Sequence, residues 1–283
     1  MLVVGHGTRK PAGAAQLRSL VSHMRSIEPS WHIYESFLEL ADPSIETAMR
    51  QIADDKLKYL TIVPILLFSA AHAKSDIPMA VEAEANALGL HILGQTPSLG
   101  TAPSVLALSN ARFHEMVHSA TLEGCPEAHC GTGVPPDCNT RHTCKPCPLI
   151  GVRSERIALA MVGRGTSDPI ALNHMRELTQ LIAAERSIHW HNTGFFAGGS
   201  PNVDELLESA ATSSFDGNDC DTILVQPHLL FEGELMDQLR SKVRSMRERF
   251  PNRNWILARS LGADRKLAEV FLQFVRDSWS TLK

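Results

Sequence analysis

The sequence predicts a doubly wound α/β fold built twice, with a parallel sheet in each copy. Three observations carry this. Short β-branched runs alternate with stretches of helical spacing over residues 1–118 and again over 151–283, the rhythm of consecutive βαβ units. Residues 2–8 read Leu-Val-Val-Gly-His-Gly-Thr, and residues 159–166 read Leu-Ala-Met-Val-Gly-Arg-Gly-Thr. The register then holds: Gly5 and Gly163, Phe37 and Phe195, and Pro43 and Pro201 are all 158 apart. Pro64 and Pro227, and Phe68 and Phe231, are 163 apart. A repeat of this length marks two related domains rather than a short-period solenoid. The five extra residues are expected in the turn-rich stretch Ser214-Phe215-Asp216-Gly217-Asn218-Asp219.

The elements follow in order. Val3-Val4 enters the first loop as strand one. From Ala14 to Ile27, Leu17, Leu20, Val21 and Met24 share one helical face. Ile33 to Leu40 reads as strand two. Ser44 is a candidate N-cap, with Ile45, Ala48, Met49 and Ile52 spaced for burial behind it. Tyr59 to Leu67 is nearly continuous in apolar residues, as expected of a parallel strand covered on both faces. Ile77 to Leu88 is helical, and Leu90 to Leu93 is a fourth strand. Residues 119–150 break the pattern with Gly, Pro, Cys, Asn and Thr, so they form an insert or linker. Strands resume near Ile157–Val162, His189–Phe196, Thr222–Val225 and Trp255–Ala258. The last helix, Ala263 to Trp279, carries Leu267, Val270, Phe271, Phe274 and Val275 on one face.

Composition narrows the function. The net charge of −4, without a Lys/Arg-rich face, argues against a nucleic-acid partner. An anionic ligand would need a local basic patch. No run of eighteen apolar residues occurs, so no membrane span is expected. The N-terminal residues lack the features of a signal peptide, and a cytoplasmic protein is expected.

The chemistry concentrates where ligands bind in such folds, beyond the carboxyl ends of the strands. His6 follows strand one, Glu39 closes strand two and His72 follows strand three. Each alone has a bland reading: a tight turn, a solvated strand end, a helix-leading histidine. Together, at the ends of successive strands, they form a candidate site. Two imidazoles and a carboxylate suit Co²⁺, Fe²⁺, Ni²⁺ or Zn²⁺. Gly5, Gly7, Ala70, Ala71 and Ala73 leave room for a bulky, flat ligand. In the second copy His6 becomes Arg164, and His72 falls opposite Leu235. One half therefore reads as chemical, and the other as a partner that shapes the site.

Cys125, Cys130, Cys138, Cys144 and Cys147 crowd into the insert around His129 and His142, while Cys220 stands apart. The Cys144-Lys145-Pro146-Cys147 spacing suits chelation of one ion. Four thiolates would hold a 4Fe-4S cluster or a structural zinc, and free or disulfide-linked thiols are the remaining options.

These segments resemble the class II tetrapyrrole chelatases: Gly5-His6-Gly7-Thr8-Arg9; Glu39 before Asp42-Pro43-Ser44-Ile45; Val63 to Phe68 leading to His72-Ala73-Lys74-Ser75-Asp76-Ile77-Pro78. Gly163 to Pro169 and Pro227 to Gly233 match the two-lobe form of the family. The resemblance spans nearly all of the chain except 119–150. It implies two flavodoxin-like, chelatase-like lobes (1–118 and 151–283) around a central cleft that holds the macrocycle. It implies insertion of a divalent metal into sirohydrochlorin, Co²⁺ favoured and Fe²⁺ possible, in cobalamin or siroheme synthesis. By the same carry-over, His6 and His72 bind the incoming metal, and Glu39 assists as ligand or proton acceptor. Some relatives carry an iron–sulfur cluster, which favours that use of the cysteines.

The macrocycle is anionic, so Arg9, Lys10, Lys74 and Arg164 are the candidate substrate-binding cations, each beside a site loop. His228 stands where the family more often has an aromatic residue; it either reaches the cleft or caps a strand. The competing readings are a non-catalytic metal or tetrapyrrole carrier, and a zinc hydrolase on the same ligands. With the repeat fused, a monomer already contains both lobes, and a homodimer is the alternative.

Overall fold

The computed structural model describes residues 1–68, 71–100, 102–122 and 156–280, excluding the side chains of 71–75 and 117–122. The first sheet takes β1 (Leu2–Gly5), β2 (Tyr34–Phe37), β3 (Tyr59–Pro64) and β4 (His91–Gln95) in the order β2-β1-β3-β4, all parallel. The second takes β5 (Ile157–Gly163), β6 (Trp190–Phe195), β9 (Thr222–His228) and β10 (Asn254–Leu257) in the order β6-β5-β9-β10, also parallel. By repeat position these are the same order, as duplication requires. Between β6 and β9 a hairpin forms from β7 (Ser214–Phe215) and β8 (Asn218–Asp219). It occupies the stretch expected to hold the extra residues. Asp216 and Gly217 both take positive φ, +49° and +74°, as a two-residue hairpin turn demands.

The helices are α1 (Pro11–Ile27), α2 (Ile45–Asp54), α3 (Ala71–Leu88), α4 (Pro103–Leu122), α5 (Pro169–Ala184), α6 (Val203–Ala211), α7 (Glu234–Arg249) and α8 (Arg265–Ser280). Ser44 caps α2, accepting from Thr47 N at 3.1 Å. Its counterpart Asn202 caps α6 in a reciprocal box with Glu205. Strands β1, β5 and β9 are buried along their whole length because helices cover both faces.

The last helix of each lobe crosses to the other. α8 packs on α1 and β3, so Leu267, Phe271 and Val275 share one core cluster with Val3, Leu17 and Leu20. α4 packs on α5, β9 and β10, placing Phe113 and Met116 among Ile157, Met161 and Leu178. A polar side chain pins each exchanged helix to the strand it covers. Trp279 Nε1 donates to Thr61 Oγ1 at 2.8 Å, and Gln226 Nε2 donates to the Ser109 carbonyl at 2.8 Å. Arg112, 3% exposed, ties α4 to the loop before α8 through the Leu261 carbonyl and Asp264. Sequence periodicity marks the α8 face as buried but not the sheet that it covers. Among the described residues no helix is long and apolar enough to cross a membrane.

Candidate metal and tetrapyrrole site

The carboxyl ends of β1 and β2 build the first part of the site. Beyond the strands the ladder continues for two residues: Leu38 N donates to the Gly5 carbonyl at 2.8 Å, and Glu39 N to the His6 carbonyl at 3.1 Å. This closeness needs Gly7. Its φ is +99°, and a Cβ there would lie 1.6 Å from the Glu39 carbonyl oxygen. His6 and Glu39 are thereby held side by side, with Nδ1 3.5 Å from Oε1. The pair is in ion-pair range but not aligned for a hydrogen bond. Both side chains remain partly exposed.

The second lobe repeats the scaffold without the ligands. Phe196 N and Ala197 N donate to the Gly163 and Arg164 carbonyls, and Gly165 takes φ +84° against the Ala197 carbonyl. Arg164 stands for His6, and Ala197 for Glu39. The two loops face one another, and Arg164 Nη2 lies 3.1 Å from His6 Nε2. Counterparts 158 residues apart thus meet across the lobe boundary. A guanidinium has donors only, so His6 Nε2 is the acceptor. The neutral ring is then the Nδ1–H tautomer, with that N–H toward Glu39 and the Nε2 lone pair toward the opposite lobe.

The segment after β3 brings His72 and Lys74 into the first turn of α3; their side chains lie outside the described residues. Among the described residues no three His, Cys, Asp or Glu side chains converge. The insert cysteines, Cys125 to Cys147, also lie outside them.

Of the other cations, Arg9 is exposed in the His6 loop. Lys10 reaches across the lobe boundary to Asp237, Nζ to Oδ2 at 2.9 Å. The hydrogen bond and charge of Asp237 raise the Lys10 pKa, and Lys10 in turn lowers that of Asp237. This pair belongs to a brace that the sequence did not reveal. Gln16 Oε1 accepts from Glu232 N at 2.6 Å, and a Cβ on Gly13 would sit 2.4 Å from the Glu232 carbonyl. Glu232 also holds Arg240, at 2.5 Å. Glu232 lies in the Pro227–Gly233 segment, but nothing in the sequence pairs it with Gln16; only the facing of the two lobes joins them.

His228 ends β9, in register with Gly163, and is 1% exposed. Neither ring nitrogen has a hydrogen-bond partner, so it caps nothing. Its ring packs 5.8 Å from that of Phe68, in the first lobe. Desolvation lowers its pKa to about 4. Its counterpart is Ile65, 3% exposed.

Comparison with known proteins agrees with this architecture. The CbiX family model matches residues 1–116 and 158–278. A sirohydrochlorin ferrochelatase of Priestia megaterium is 26% identical over 276 residues, covering 98% of this chain and 89% of that protein. A sirohydrochlorin cobaltochelatase of the same organism is 24% identical over 272 residues, covering 95% and 76%. The structure of SirB from Bacillus subtilis with Fe³⁺ superposes with a TM-score of 0.72 at 24% identity, covering 98% of this chain and 94% of SirB. At that identity the likeness shows the two-lobe fold.

Proposed function

The chain belongs to the CbiX family, and we propose that it inserts a divalent metal into sirohydrochlorin. The observation that carries this reading is the His6–Glu39 pair at adjacent strand ends, facing a cation from the duplicated lobe. The names of the nearly full-length relatives point to the same substrate. In this reading, residues 1–118 and 151–283 form the two lobes and 119–150 an insert between them.

Insertion exchanges the ion for a proton on each of two pyrrole nitrogens. His6, through Nε2, and His72 hold the incoming ion. Glu39, beside His6, serves as third ligand or takes up a released proton. Imidazole suits both tasks near neutral pH because its neutral form is a ligand and a base. Arg9, Lys10, Lys74 and Arg164 supply positive charge for the rim carboxylates of the macrocycle. Arg164 is best placed, because a planar guanidinium grips a carboxylate bidentately. Co²⁺ is the favoured ion from the resemblance, and the similar relatives include both iron and cobalt enzymes.

The insert cysteines Cys125, Cys130, Cys138, Cys144 and Cys147 hold a 4Fe-4S cluster or a structural zinc in this proposal. The enzyme works in the cytoplasm, as monomer or homodimer. The reading is tested by anaerobic absorbance with a large excess of sirohydrochlorin and Co²⁺ or Fe²⁺. A chelatase converts many equivalents; a carrier stops at one, and that result would overturn the proposal.

A further inference from the structure

We propose that Arg164 is an internal competitor of the metal, occupying its coordination position on His6 until the tetrapyrrole draws it away. This rests on the chelatase reading and adds an order of events to it. The Nε2 lone pair of His6 is the one free to coordinate, because the Nδ1–H faces Glu39. That lone pair accepts from Arg164 at 3.1 Å. An ion cannot bind Nε2 while the guanidinium holds it, and a fixed positive charge about 3 Å away would repel a divalent cation. The resting enzyme therefore binds metal weakly.

A rim carboxylate offers the guanidinium a stronger partner than a neutral imidazole does. Its arrival moves Arg164, frees Nε2 and removes the adjacent charge. Metal affinity at His6 thus rises when the macrocycle is present, and linkage requires the reciprocal effect. The repeat suits this device: two histidines at these counterpart positions would leave two ligands face to face, whereas one histidine and one arginine leave a ligand with its own cover. Arg164 acts on the metal through His6 and is a positioning residue in that respect.

The test is a Co²⁺ titration, followed by visible absorption and calorimetry, of wild type, Arg164→Ala, Arg164→Gln and His6→Ala. Each is titrated with and without a palladium-filled octacarboxylate porphyrin, which takes up no second ion. His6→Ala identifies the signal that belongs to this site. Arg164→Ala is expected to bind Co²⁺ about tenfold more tightly than wild type in the absence of porphyrin. The porphyrin is expected to tighten Co²⁺ binding by a similar factor in wild type and to have no such effect in Arg164→Ala. Arg164→Gln keeps a donor for Nε2 without the charge and should fall between the two. Unchanged or weaker Co²⁺ binding in Arg164→Ala, in a protein that melts like wild type, overturns the competitor role while wild-type turnover leaves the chelatase reading intact. Absence of turnover in wild type overturns both.

Discussion

Leu40 and Gly198 hold the same place in the two copies and the same left-handed backbone, with φ of +61° and +65°. Glycine adopts this conformation freely, whereas a leucine does so at a cost of about 1–2 kcal/mol. Leu40 follows Glu39 directly and is 50% exposed. A strained, exposed apolar side chain beside the proposed metal ligands fits a contact with the face of a flat macrocycle. Leu40→Gly is expected to stabilise the protein by about 0.5–1 kcal/mol in denaturant unfolding. It should weaken tetrapyrrole binding roughly fivefold to tenfold while kcat is retained. A variant that gains stability with unchanged KM would remove Leu40 from the binding face.

The helix exchange gives a prediction that chain order alone would not. Phe271 lies in the second repeat but is fully buried in the first-lobe core beside Leu17 and Leu20. Phe271→Ala should cost about 3–5 kcal/mol. The first sheet, β1 to β4, should lose hydrogen-exchange protection before the second. Earlier loss in β5, β6 and β9 would mean that α8 covers its own lobe.

His228 makes stability depend on acid. Its folded pKa, about 4, lies below the ordinary histidine value of 6.5. The folded state therefore binds fewer protons than the unfolded chain across this interval. The contribution is complete above about pH 6.5 and is lost as pH falls toward 4, amounting to about 2–3 kcal/mol by pH 4.5. His228→Ile, the residue type of its counterpart Ile65, should flatten this part of the pH profile. At pH 7 it should be as stable as wild type or more so, since a buried imidazole without partners is no longer enclosed. An acid limb as steep in His228→Ile as in wild type would assign it to other groups.

Much of this was legible before the structure, and for physical reasons. The succession of strands and helices and the parallel sheet in each copy followed from alternation and the constant offset, because copies with one pattern of buried runs fold alike; the order of strands within each sheet came from the structure. The place of the five extra residues was legible as the turn-rich stretch 214–219; that it folds as a hairpin, with positive φ at Asp216 and Gly217, came from the structure. His6 and Glu39 were legible because open α/β sheets expose the residues after their strands. The exchange of α4 and α8 was not, since an apolar face such as Leu267-Phe271 specifies burial but no partner. Nor was the cross-lobe pairing of Gln16 with Glu232 and of Lys10 with Asp237, since local spacing names no partner on a facing lobe; Lys10 reads from sequence as a substrate cation, and the structure pairs it with Asp237. His228 was ambiguous for the same reason: its surroundings come from Phe68 of the other lobe.

The most direct test of the account is anaerobic steady-state metal insertion by wild type, His6→Ala, Glu39→Gln, His72→Ala and Arg9→Ala. His6→Ala and His72→Ala are each expected to lower kcat by at least about a hundredfold. Glu39→Gln should lose roughly tenfold or more, and Arg9→Ala should mainly raise KM. Full turnover in His6→Ala, with Arg164 then lacking its imidazole partner, would contradict the proposal that His6 holds the incoming metal.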